Sequence, residues 1–169
     1  MLIVFGGLPG TGKTTLARAI AVERQATYLR VDTIEQALRD SGMLAVDVGP
    51  AGYLAAYALA EENLRLGRVV VVDAVNPLAI TRQAWRRVAE RTDAAMIEIE
   101  VICSDRVEHR RRVETRTTDI SGLVTPTWQQ VLARKYEAWE PVPFVLDTAG
   151  CLPAVSLDRL RSRIAETAA

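Results

Sequence analysis

The stretch Gly7-Leu8-Pro9-Gly10-Thr11-Gly12-Lys13-Thr14 constrains this chain more than any other. It follows the apolar run Leu2-Ile3-Val4-Phe5 and precedes Thr15-Leu16-Ala17-Arg18-Ala19-Ile20-Ala21, whose residues favour a helix. The pattern is G-x-x-x-x-G-K-[ST], set after a strand and at a helix N-terminus, where a phosphate-cradling loop works. Phosphates need several donors at close range. Glycines let backbone N–H groups approach the oxygens, and the following helix adds the positive end of its dipole. In this pattern Lys13 reaches the β/γ-phosphates and Thr14 offers its hydroxyl to Mg²⁺. Gly7 through Thr14, with Thr15 behind them, are the candidate nucleotide contacts.

Composition narrows the class. The 169 residues suit one domain, 1–169, and 49% apolar content is enough for a core. Acidic and basic residues balance at 21 each, so net charge gives no reason to expect generic binding to nucleic acid or anionic membranes. Cys103 and Cys151 lie far apart with no secretory pattern before them, which predicts reduced thiols and a cytoplasmic location. The single histidine, His109, excludes a His-cluster metal site. No apolar stretch approaches the roughly 18 residues of a membrane span.

Taken in order, the chain alternates strands and helices. The first helix is expected to run to about Arg24, and Thr27 to Val31 reads as a second strand ending at Asp32. Thr33 to Arg39 suits a short helix closed by Ser41-Gly42. A break at Val48 to Gly52 precedes a longer helix from about Tyr53 to Leu66. The run Val69 to Val72 has no polar member and fits a strand buried on both faces; Asp73 closes it. Asn76-Pro77 leads into a helix over about Leu78 to Arg91, and Met96 to Ile102 forms a fourth strand. There Glu98 and Glu100 alternate with Ile97, Ile99 and Val101, predicting one partly solvated face. Ser104 is placed to cap the next helix, which carries Arg106, Arg110, Arg111, Arg112 and Arg116. After the polar stretch Thr117 to Thr125, Pro126 is expected to open a helix through about Trp139. Pro143 to Leu146 reads as a fifth strand, and a last helix starts near Ala154. The result is a three-layer α/β fold with a five-stranded, mainly parallel sheet flanked by helices. Ligands in such sheets bind beyond the carboxyl ends of the strands, where the loop, Asp32 and Asp73 all fall.

With these features in place, the sequence resembles the small P-loop kinases: phage-type polynucleotide kinases and, more distantly, gluconate kinases, chloramphenicol phosphotransferases and zeta toxins. The resemblance rests on Gly7 to Thr14, Asp32, the segment Asp73-Ala74-Val75-Asn76-Pro77, and the arginines before a polar lid at about 112–126. It implies a P-loop NTPase fold with AAA-type ATP binding, and ATP with Mg²⁺ as cofactors. Asp32 matches the general base toward an acceptor hydroxyl; its other reading is an N-cap for the helix at Thr33. Asp73 matches the acid expected near Mg²⁺ or the acceptor, or else a turn aspartate. Ala74 stands where many ATPases carry a water-activating glutamate, which favours transfer to a hydroxyl over hydrolysis. Arg112 and Arg116, four apart, would share a helical face and clamp the transferring phosphoryl group, with Arg110 and Arg111 as substitutes. The alternative is a solvated face paired with Glu108 and Glu114. Thr148 is the expected neighbour of the adenine.

The acceptor pocket is expected under the segment 33–65, with Arg39, Tyr53, Tyr57, Asp73, Asn76 and Arg82 as candidate contacts; the other reading of the two tyrosines, and the favoured one, is a core-facing pair. Related polynucleotide kinases carry a basic residue shortly after the base aspartate. Here Glu35 stands close by and Arg39 follows a turn later, which argues against a polynucleotide acceptor. The reading is therefore phosphoryl transfer from ATP to a hydroxyl of a small molecule, without a membrane or an obligate protein partner. Its rivals are a polynucleotide 5′-hydroxyl kinase and a regulatory P-loop ATPase or nucleotide switch.

Overall fold

A computed structural model describes residues 1–42 and 48–168. Residues 43–47 of the expected acceptor-side segment lie outside the described residues. Five strands, β1 (Leu2–Gly6), β2 (Thr27–Arg30), β3 (Val70–Asp73), β4 (Met96–Ile102) and β5 (Phe144–Asp147), form one sheet in the order β2-β3-β1-β4-β5. Every pairing is parallel, with Leu2 opposite Val70 on one side and Met96 on the other. The order reverses at β1. The crossover from β1 runs to β2 on one side and that from β3 passes over β1 to β4 on the other, opening a crevice at the carboxyl ends of β1 and β3.

Seven helices connect the strands among the described residues: α1 (Lys13–Glu23), α2 (Val31–Asp40), α3 (Ala51–Arg65), α4 (Ala79–Arg91), α5 (Arg106–Thr115), α6 (Trp128–Ala133) and α7 (Pro153–Ala168). The strands' side chains alternate between two cores. Leu2, Val4, Val70 and Val72 pack with Ala56, Ala60 and Leu64 of α3 and Trp85 and Val88 of α4. Ile3, Phe5, Val71, Ile97 and Ile99 pack with Leu16 and Ile20 of α1 and Leu160 and Ile164 of α7. This is the expected three-layer α/β architecture. The alternation in β4 also holds: Ile97, Ile99 and Val101 are buried, and Glu98 meets the Arg86 guanidinium of α4 at 2.8 Å. A third cluster of Val113, Trp128 and Val131, with Leu8 against it, joins α5 and α6 to the glycine loop.

Four expectations change. The second strand stops at Arg30, so Asp32 lies in the first turn of α2 rather than capping it. Asp105, not Ser104, caps α5 by accepting from Val107 and Glu108 N–H groups. Arg116 has left the helix, with ψ near 140°, so it does not share a helical face with Arg112. The helix expected over 126–139 covers only Trp128–Ala133 and is capped by Thr127, and Tyr136 to Pro141 runs as irregular chain. That segment is anchored by its large side chains: Trp139 is buried, its indole N–H donates to Tyr136, and the Arg82 guanidinium lies 4.7 Å from the ring centre. Packing of this kind overrides helix propensity.

Candidate functional site: a phosphate loop beneath an arginine-rich lid

The glycine loop turns sharply between β1 and α1. Gly7 has φ 135°, and a Cβ there would collide with the Val101 carbonyl oxygen. A Cβ on Gly10, at φ 86°, would come 2.6 Å from Val113 Cγ2 of α5. The loop therefore fits between β4 and α5 only as bare backbone. Thr11 ties it internally, donating to the Leu8 carbonyl at 3.0 Å. His109 fastens it from α5: its Nε2 lies 2.8 Å from the Pro9 carbonyl oxygen, and its ring meets Trp128 edge-on. Composition alone had only excluded His109 as part of a metal cluster; its chain position gives no signal of a contact formed across 100 residues.

Beneath the loop, Lys13 Nζ donates to Asp73 Oδ1 at 3.0 Å in a buried ion pair. Tyr28 donates to Asp73 Oδ2 at 2.8 Å, and the Thr14 hydroxyl also favours the ionised form of this carboxylate. Burial raises the Asp73 pKa, but Lys13 and these hydroxyls outweigh it and hold the carboxyl below its ordinary value. Burial and the Asp73 charge push the Tyr28 hydroxyl far up, so it stays protonated as a donor. An ionised carboxylate beside the Thr14 hydroxyl is the hard-oxygen environment that suits Mg²⁺, which takes one or two protein oxygens and fills its shell with water and phosphate. No cluster of three or more His, Cys, Asp or Glu stands ready for a metal among the described residues.

A cavity of about 820 Å³ opens above the loop. It is lined by Leu8 through Thr15 and by Asp32, Glu35, Arg39, Arg112, Arg116 and Thr148. Tertiary structure thus brings together the loop, Asp32, Arg112, Arg116 and Thr148. The two arginines differ in their contacts. Arg112 donates to Glu108 at 2.7 Å and to the Thr148 hydroxyl and carbonyl at 2.8 and 2.9 Å. The Thr148 hydroxyl in turn lies 2.8 Å from the Thr11 carbonyl, linking the end of β5 to the loop. Arg116 is half-buried and forms no hydrogen bond or ion pair among the described residues. Burial lowers its pKa, and the nearby Arg30 cation adds to this against Asp32 and Asp73.

Other sequence candidates fall outside the cavity. Tyr57 packs edge-on to Trp85 and donates to the Thr81 carbonyl. Tyr53 accepts the Asn76 backbone N–H, and burial raises both tyrosine hydroxyls. Asn76 is wholly buried, donating to the Phe5 carbonyl and accepting from Trp85 Nε1. Arg82 is 1% exposed and donates to the Leu78 and Glu137 carbonyls. These four side chains brace the loop after β3 against α3 and α4. Asp73 lies under the loop, held by Lys13 and Tyr28, and does not line the cavity. Arg39 does line the cavity, 3.5 Å from Glu35.

Residues 2–137 match the AAA_33 family model, described as an AAA domain. The chain belongs to this AAA domain family. An uncharacterized protein of Mycobacterium tuberculosis (strain ATCC 25618 / H37Rv), Rv2004c, is 33% identical over 162 residues, covering 88% of this chain. The chain spans about a third of that relative, 32% of its length. Among solved structures, Chaetomium thermophilum Kti12 in complex with ADP-AlF3 matches with a TM-score of 0.72 at 21% identity, covering 100% of both chains. A gluconokinase from Sinorhizobium meliloti 1021 matches with a TM-score of 0.63 at 20% identity, covering 99% of this chain and 97% of that one. This AAA domain has the fold of the small P-loop kinases. No helix of the described residues is long and apolar enough to cross a membrane.

Proposed function

We propose that this AAA domain is an ATP- and Mg²⁺-dependent phosphotransferase that moves the γ-phosphoryl group to a hydroxyl of a small molecule. One observation carries the reading: Asp32 and the unpaired Arg116 line the same cavity as the glycine loop. A half-buried guanidinium without a carboxylate partner suits a group whose charge spreads over equatorial oxygens during transfer. The S. meliloti gluconokinase of the same fold adds support, since the transfer its name describes is to a hydroxyl compound.

In this reading the loop amides and Lys13 hold the β- and γ-phosphates. Thr14 and Asp73 would hold Mg²⁺, which when bound would supply positive charge against the charge that develops during transfer. Asp32, in the first turn of α2 and facing the cavity, accepts the acceptor's proton. Arg116 closes over the γ-phosphoryl group while Arg112 steadies Thr148 on the adenine side. The cavity's Glu35 and the balanced net charge favour a small acceptor over a polynucleotide.

The test is incubation with labelled ATP and pools of hydroxyl-bearing metabolites, antibiotics and oligonucleotides. A labelled small molecule is expected, with transfer abolished in Lys13→Ala and in Asp32→Asn, the latter keeping ATP affinity within about threefold. Full transfer by Asp32→Asn would sink the base assignment. A labelled oligonucleotide would move the acceptor to nucleic acid, and nucleotide binding with no labelled product would leave the protein a switch or ATPase.

A further inference from the structure

The lid carries an acid that the proposed chemistry does not use. Asp119 accepts from Arg18 Nη2 of α1 at 2.6 Å and from Arg30 Nη1, at the end of β2, at 2.7 Å. Arg30 is 9% exposed, and its Nε is buried without a hydrogen-bond partner, 3.9 Å from Asp73 Oδ2. Asp73 holds Lys13 on its other oxygen. Charges therefore alternate in one chain from Arg18 through Asp119, Arg30 and Asp73 to Lys13. Asp119 is its only member from the lid.

The neighbourhood explains why an acid is needed there. Arg116 stands three residues before Asp119, and it and Arg30 both line the cavity. Arg30 repels Arg116 while Asp32 and Asp73 attract it, so the Arg30 charge is the one contact in this neighbourhood that opposes the lid. The Asp119 carboxylate meets that charge from the lid's side, at 2.7 Å from Arg30 Nη1. Three residues further on, Gly122 lies so close to α2 that a Cβ would come 2.9 Å from Gln36 Nε2. The lid is thus seated at Asp119 and closely apposed to the floor just beyond it.

We propose that Asp119 and Arg30 form the catch that seats the lid and holds Arg116 over the phosphate loop, making both positioning residues for phosphoryl transfer. The role given to Arg116 rests on the phosphotransferase reading above; the catch itself does not.

Two measurements on the full chain test this. The first is amide hydrogen exchange over residues 117–125 in wild type, D119N, D119E, R30Q and the D119N/R30Q double variant. Exchange is expected to speed up at least about fivefold in D119N, to stay within about twofold of wild type in D119E, and to rise no further in the double variant than in the singles. The second is ADP release from ATP with Mg²⁺: D119N should lower kcat about tenfold with KM for ATP within about twofold, and D119E should restore it. Unchanged lid exchange in D119N, or effects that multiply in the double variant, would overturn the catch. Should R30Q fail to fold, the comparison of D119N with D119E at an exposed position still decides. If wild type neither binds a fluorescent ATP analogue nor releases ADP, the phosphotransferase reading falls while the exchange data continue to judge the catch.

Discussion

Lys13 of the glycine loop and Asp73 at the end of β3 meet at 3.0 Å, both almost fully buried, 60 residues apart in the chain. This pair joins the first helix to the sheet beneath the cavity. Each partner compensates the other's desolvation, so neither is dispensable on its own.

Lys13→Met should therefore cost stability as well as nucleotide binding, on the order of 3 kcal/mol by urea unfolding, because it leaves a buried carboxylate short of its cation. The pH dependence follows from Asp73, whose folded pKa is lowered. Its stabilisation is present above the unfolded value near ~3.9 and is lost as pH falls through the lower folded value. Without Lys13 the folded pKa rises, so acid unfolding followed by circular dichroism should begin at higher pH in Lys13→Met. An unshifted acid transition would show that Tyr28, Thr14 and Arg30 suffice to hold the charge.

Arg112 and Arg116 should separate kinetically. Arg112 is bound to Glu108 and Thr148, so Arg112→Ala is expected to weaken ADP affinity about tenfold and to cost roughly 1–2 kcal/mol of stability. Arg116 has no such partners, and Arg116→Ala should leave ADP affinity within about threefold while turnover falls on the order of a hundredfold. Calorimetry and steady-state kinetics distinguish the two. Equal effects on affinity would remove the division of labour.

Tyr57→Phe tests whether that tyrosine belongs to the core. Its hydroxyl donates to Thr81 and its ring rests on Trp85, so the variant should lose about 1 kcal/mol and keep its turnover. A loss of turnover beyond about tenfold, with stability intact, would return Tyr57 to the acceptor side.

Much of this molecule is legible from the chain alone. The motif at Gly7 to Thr14 announces its own strand and helix, since backbone geometry, dipole and lysine must act on one phosphate group within a few ångströms. The all-valine run before Asp73 and the alternation in β4 likewise determine their elements, because burial on one or two faces is written in residue order. Elements lacking such a pattern were less legible. The segment Tyr136 to Pro141 is held by Trp139 against Gly6 and Arg82, partners that no local period reveals.

Sequence by itself therefore determined the phosphate loop and the alternation of strands and helices along the chain. Only the tertiary structure decided that Tyr57, Asn76 and Arg82 are braces, that Arg112 is bound to Thr148, and that Asp119 reaches Arg30 and Arg18. The reason is range. Periodicity and motifs report forces between near neighbours in the chain, whereas a charged side chain's partner is chosen by whichever opposite charge the fold leaves beside it. Between Asp119 and Arg30 that choice spans 89 residues.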